Sequence, residues 1–112
     1  MENSLKNSRD FNRVFNEGKS YADKLLVMYV CKNYLVMDRI GIIVSKKIGN
    51  SVVRHRITRL IKESFRLNYN MFNWSLDIVV IARAGIREAG YADVNKSMLH
   101  LAGMHGIIAK DR

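Results

Sequence analysis

A single cysteine, Cys31, is all that this 112-residue chain contains, so no intramolecular disulfide can staple it. An unpaired thiol within an apolar run reads as a structural side chain in a reducing compartment, not as a nucleophile. No apolar stretch approaches the roughly 20 residues that a helix needs to span a bilayer. The opening residues, Met1-Glu2-Asn3-Ser4-Leu5-Lys6, lack the apolar segment of a secretion signal. The expectation is a soluble, cytoplasmic protein. Repeats, low-complexity segments and dividing linkers are also missing, and a chain of this length suits one domain, 1–112, around one core. Acidic residues are scarce: 10 Asp and Glu against 19 Lys and Arg leave a formal charge of +9. That surplus favours a polyanionic partner, either nucleic acid or an anionic membrane surface.

Catalytic chemistry is just as thinly represented. The acids (among them Glu2, Asp10, Asp38, Glu63, Asp77 and Asp111) are scattered, with no paired motif to hold two metal ions. His100 and His105 are five apart, so on a helix they diverge by roughly 140° and are poorly placed to share a metal. Each reads as a surface or partly packed helix residue. Gly49 lacks the spaced glycine and following Lys-Ser/Thr of a phosphate-binding loop. A self-contained nuclease working through His100 or His105 therefore has little support.

What is present reads as an α/β chain. Phe11, Val14 and Phe15 fall at i, i+3 and i+4 between Ser8, a candidate N-cap, and Gly18, predicting a short amphipathic helix. Residues 25–31 (Leu-Leu-Val-Met-Tyr-Val-Cys) and 39–45 read as strands, expected to pair antiparallel, and residues 19–22 can add a short strand ahead of them. Ser51, after the turn-like Gly49-Asn50, is the expected N-cap of a helix reaching about Asn68. Residues 76–82 (Leu-Asp-Ile-Val-Val-Ile-Ala) have the profile of a strand buried on both faces. A last helix is expected over about 91–105, with Val94, Met98, Leu101 and Ala102 on one side. The order helix, two or three strands, helix, strand, helix predicts an α/β (α+β) two-layer sandwich with a mixed, mostly antiparallel sheet.

The segment 46–66 is the most informative. It carries Lys46, Lys47, Arg54, Arg56, Arg59, Lys62 and Arg66 against one acid, Glu63. On a wheel of roughly 100° per residue, Val53, Ile57, Leu60, Ile61 and Ser64 cluster on one side. His55, Arg59, Lys62 and Arg66 cluster opposite, with Arg54 and Arg56 at the borders. A merely solvated face would mix signs and use i, i+4 Glu–Lys pairs. Here arginine dominates, and its planar fork suits bidentate phosphate contact. The helix N-terminus beside Lys46 and Lys47 adds positive dipole. The stripe reads as an RNA-docking face, although it could also serve DNA. A membrane-surface role fits less well, because the face opposite the stripe is aliphatic core.

Arg39-Ile40-Gly41, followed by Val44-Ser45-Lys46-Lys47-Ile48-Gly49-Asn50-Ser51-Val52-Val53-Arg54-His55-Arg56-Ile57-Thr58-Arg59-Leu60-Ile61-Lys62-Glu63-Ser64-Phe65-Arg66, resembles the signature of the bacterial ribonuclease P protein component. The likeness extends to Asp10-Phe11 with Phe15 and Gly18, to residues 77–83 and to Lys96-Ser97 with Leu99-His100-Leu101, so it spans nearly the whole chain. The resemblance implies a fold like the second domain of a small-subunit ribosomal protein, with an unusual left-handed crossover. It also implies an accessory subunit of an endoribonuclease whose catalytic RNA removes the 5′ leader of precursor tRNA with Mg²⁺ held mainly by RNA. By matching position, Lys46, Lys47, Asn50, Arg54, His55, Arg56, Arg59, Lys62 and Arg66 would face the catalytic RNA. Phe11, Phe15 and Tyr29 would line a cleft for the single-stranded leader. Phe11 and Phe15, one turn apart, could equally be core residues on the pattern alone, although aromatic faces also stack on unpaired bases. Two positions depart from the family: His55 replaces the middle Asn of an Arg-Asn-Arg triplet, and Ile43 replaces a small hydroxyl residue. The rival reading is a ribosomal or general RNA-binding module, which would lack leader-dependent binding alongside a catalytic RNA.

Overall fold

The computed structural model describes residues 4–72 and 75–109, so Glu2 and Asp111 lie outside the described residues. Helix α1 (Ser8–Glu17) is followed by strands β1 (Lys19–Ala22), β2 (Leu26–Lys32) and β3 (Arg39–Ile43). Helix α2 (Ser51–Leu67), strand β4 (Leu76–Ala82) and helix α3 (Tyr91–His105) complete the order. Both α1 and α2 are capped one residue before the expected cap. Asn7 accepts from Asp10 N and Asn50 from Val53 N, so Ser8 and Ser51 become the first helical residues. An Asn side chain at that position satisfies one of the helix's orphan N–H groups directly.

The four strands form one sheet in the order β1-β2-β4-β3, which corrects the expected pairing of β2 with β3. β4 lies between them, antiparallel to β2 and parallel to β3. The reason is hydrophobicity: β4 is apolar on both sides, and only a central strand buries both. The 33–38 connection spans the start of β4 on its way from β2 to β3. Asn33 N donates to Ser75 O (2.9 Å), Ser75 Oγ donates to Leu35 O, and buried Asp38 accepts from Leu76 N (3.0 Å). α2 then links the parallel pair β3 and β4 as the expected crossover.

Alternation along β4 divides the interior. Ile78 and Val80 join Leu26, Met28, Ile57, Ile61, Val94 and Leu101 beneath α2 and α3, the sandwich proper. Val79 faces the other way and packs with Val14 and Leu5 under α1, which forms a shorter cover on the second face. Among the described residues no helix is long and apolar enough to cross a membrane.

Candidate nucleic-acid interface

The cationic helix is positioned by the turn that precedes it. Buried Ile48 pins this turn, and a side chain at Gly49 would press within 2.9 Å of Val53, so glycine permits the close approach. Lys46 and Lys47 are thereby left exposed beside the α2 N-terminus, next to exposed Asn50, whose side chain caps the helix. Along α2, Ile57, Ile61, Ser64 and Phe65 are buried, which puts His55, Arg56, Arg59, Lys62 and Arg66 on the exposed side and Arg54 at the half-buried border.

These cations are not equivalent. Arg54 Nε donates to Gly49 O (3.2 Å), and Arg56 donates to Ala89 O (2.9 Å) and to Arg87 O, tying α2 to the segment entering α3. Arg66 pairs with Glu63 at 2.7 Å, and that hydrogen bond with its charge holds the Glu63 carboxyl below its usual range. Arg59 and Lys62, like Lys46 and Lys47, make no hydrogen bond or ion pair among the described residues and are available as donors. Exposed His55 lies between two shallow grooves, one walled by Ile42, Val44 and Thr58, the other by Val52 and Arg59.

The other face of the sheet brings Phe11, Phe15 and Tyr29 together. All three are half-buried, and Phe15 meets Tyr29 edge-on with ring centroids 5.0 Å apart. Phe11 lies flush on β3 because residue 41 is glycine; a Cβ there would stand 2.5 Å from its ring. The floor beside these rings continues through Val79, Ile43 and Ile81, with Val27 paired to Ile81 across the ladder. Val27 and Ile81 were not singled out from sequence. Their membership follows from strand register, which the misassigned pairing had obscured.

A charged cluster that the sequence reading also missed holds α1 over this floor. Fully buried Asp77 accepts from Arg39 Nε (2.9 Å) and Nη2 (2.8 Å), from Asn33 Nδ2 (2.8 Å) and from Arg13. Burial pushes its carboxyl pKa up, but the Arg39 and Asn33 hydrogen bonds and the Arg39 and Arg13 charges outweigh this and hold it below the usual carboxylate range. Arg13 also donates to Lys32 O and to half-buried Cys31 Sγ (3.1 Å each). Burial raises the Cys31 pKa, which disfavours the thiolate. The available signal was an acid inside an otherwise apolar strand, since a buried carboxylate requires cationic partners.

The two helix histidines are separated as expected. His100 is exposed, whereas His105 contacts Met28 O at 2.8 Å and Tyr21 edge-on at 4.7 Å. Among the described residues no three His, Cys, Asp or Glu side chains converge as a metal site.

Comparison with known proteins bears on the family and the fold. Residues 1–105 match the profile of the family described as Ribonuclease P. A ribonuclease P protein component from Lachnoclostridium phytofermentans is 57% identical over 109 residues, covering 97% of this chain and 94% of that protein. One from Alkaliphilus metalliredigens is 50% identical over 99 residues, covering 88% and 89% respectively. The RNase P protein structure from Staphylococcus aureus superposes with a TM-score of 0.89 at 32% identity, covering 97% of this chain and all 100% of that one.

Proposed function

The chain belongs to the ribonuclease P protein family, a family of tRNA processing, and on that premise we propose that it engages two RNAs on opposite faces of one sheet. The exposed side of α2 docks on the catalytic RNA of the ribonucleoprotein, with Arg59 and Lys62 as principal phosphate contacts. Lys46, Lys47, Asn50, Arg54, His55, Arg56 and Arg66 flank them. The floor beneath α1, edged by Phe11, Phe15 and Tyr29, takes the unpaired 5′ leader of precursor tRNA. Half-buried aromatic rings suit that ligand because a single strand offers base faces that a duplex hides.

In this reading the protein is an accessory subunit and does not cut the phosphodiester itself. The Mg²⁺ that supports hydrolysis is held by RNA. The protein supplies cationic side chains that lower the electrostatic cost of bringing two polyanions together, a cost otherwise met by divalent ions. The place of action is the cytoplasm, where precursor tRNA is available. The observation that carries the proposal is the pairing of a cationic helix face with a half-buried aromatic cluster on the reverse of the same sheet.

Reconstitution tests it. Added to a bacterial ribonuclease P RNA at low Mg²⁺, the protein should restore cleavage of precursor tRNA that the RNA alone performs poorly. It should also tighten binding of leader-bearing substrate over leaderless tRNA. No gain in cleavage at low Mg²⁺ overturns the proposal, and equal affinity for the two tRNAs favours a general RNA-binding module.

A further inference from the structure

A groove of about 570 Å³ runs between α2 and the start of α3, and phosphate docking alone does not account for its lining. Arg56, Arg59, Lys62 and Arg66 supply cationic walls, with Glu63, paired to Arg66, the one acid among them, and Leu60 and the half-buried ring of Tyr91 supply an apolar wall. Different contacts fix the groove's cationic ends. Arg56 is clamped to the carbonyls of Arg87 and Ala89, and Arg66 is held by Glu63. Arg59 and Lys62, between them, are exposed.

Tyr91 lies beside a hydrogen-bonded seam between the two helices. Asn95 Oδ1 accepts from Ser64 Oγ (2.8 Å) and Asn68 Nδ2 (2.6 Å), joining α2 to α3, and the Tyr91 hydroxyl reaches the same oxygen at 3.4 Å. The half-buried ring beside this seam lines the groove.

We infer that this groove seats an unpaired nucleotide of the catalytic RNA, its base stacked on Tyr91 and its adjoining phosphates held by Arg59 and Lys62. A paired base has no free face to offer, and a bare phosphate has no use for an aromatic wall. One flipped-out nucleotide matches both linings. The groove opens on the α2/α3 side, away from the α1 cleft, so its occupant is the RNA that α2 docks on and not the leader. The inference rests on the docking role proposed for α2.

The test is equilibrium binding of the full chain to a bacterial ribonuclease P RNA, comparing Tyr91→Phe, Tyr91→Leu and Tyr91→Ala with the unchanged protein. Thermal melting checks that each variant folds. Tyr91→Phe should bind like the unchanged chain, whereas Tyr91→Leu and Tyr91→Ala should bind about tenfold more weakly, the scale of one lost base stack. Tyr91→Leu keeps apolar bulk and so preserves the test if the alanine variant melts. Unimpaired binding by Tyr91→Leu overturns the inference, as does Tyr91→Phe binding as weakly as Leu, which would assign the effect to the Asn95 contact. A loss seen only with precursor tRNA overturns the choice of occupant. If the unchanged chain itself fails to bind the RNA, the docking role of α2 is what fails.

Discussion

Arginines on the two sides of the sheet meet opposite fates. Under α1, Arg13 and Arg39 converge on buried Asp77, and Arg39 also approaches Asp10 at 3.7 Å, so their charge is consumed inside the protein. On α2, Arg59 and Lys62 stand exposed, and the one acid nearby, Glu63, is engaged by Arg66. The same residue type is a bolt in one place and an outward donor in the other. What decides is the local supply of acceptors. Part of the chain's +9 charge is thus neutralised inside the protein, while Arg59 and Lys62 stay exposed on the face proposed to meet a polyanion.

The strongest way to break this contrast is to remove the acceptor on the bolted side. Asp77→Ala should destabilise the protein by about 3–5 kcal/mol, because deleting one partner of a buried ionic cluster leaves Arg39 and Arg13 without their acceptor. Chemical denaturation reads this directly, and a loss under about 1 kcal/mol would show that the cluster does not anchor α1. The pH dependence has a defined sign. The folded-state carboxyl pKa lies below its unfolded value of about 3.9, so the contribution is full above that value and disappears as pH falls through the lower folded pKa. Asp77→Ala should therefore flatten the acid limb of the stability profile below about pH 4.

Arg13→Ala and Arg59→Ala sharpen the comparison at the level of binding. Arg59→Ala should leave the melting temperature nearly unchanged and reduce the log–log salt slope of RNA binding by roughly 0.7–0.9, the share of one phosphate contact. Arg13→Ala should do the reverse, lowering stability while the slope holds. Equal slopes for Arg59→Ala and the unchanged protein would mean that the stripe is only solvated.

How far each face could be read from sequence follows from the same physics. The division of α2 into a buried row and a cationic row is local, because helical periodicity alone assigns Ile57 inward and Arg59 outward, and the structure has them so. The α1 face depends on long-range pairing. Inserting β4 between β2 and β3 decides that Val27, Ile81 and Ile43 share a floor and that Arg39 lies beside Asp77, and no window of sequence contains that information. The expected antiparallel β2–β3 pair followed the preference of consecutive strands for adjacency, and it failed because 76–82 is the more apolar strand and claimed the centre. The Arg56 clamp was unreadable for a related reason, since its acceptors are backbone carbonyls of a segment 31 and 33 residues away. Tyr91, placed only at the start of a helix, acquired neighbours when α3 packed on α2.

The smallest effect tests whether charge on the α3 side is as dispensable inside as it is useful outside. His105 sits against Tyr21, its Nε2 placed to donate to Met28 O, and burial lowers its pKa, with Lys19 adding to the shift and the Met28 hydrogen bond opposing it. The folded state therefore binds a proton on His105 less readily than the unfolded chain does. Stability attached to this ring is fully present above the unfolded value of about 6.5 and declines as pH falls through the lower folded pKa. His105→Gln, which can still donate to Met28 O but does not titrate, should give a flatter stability profile below about pH 6.5 than the unchanged chain. Denaturant midpoints at several pH values would measure it. Parallel profiles would mean that the ring accepts its proton without penalty, and that charge is tolerated beneath α3 as well as on the outer side of α2.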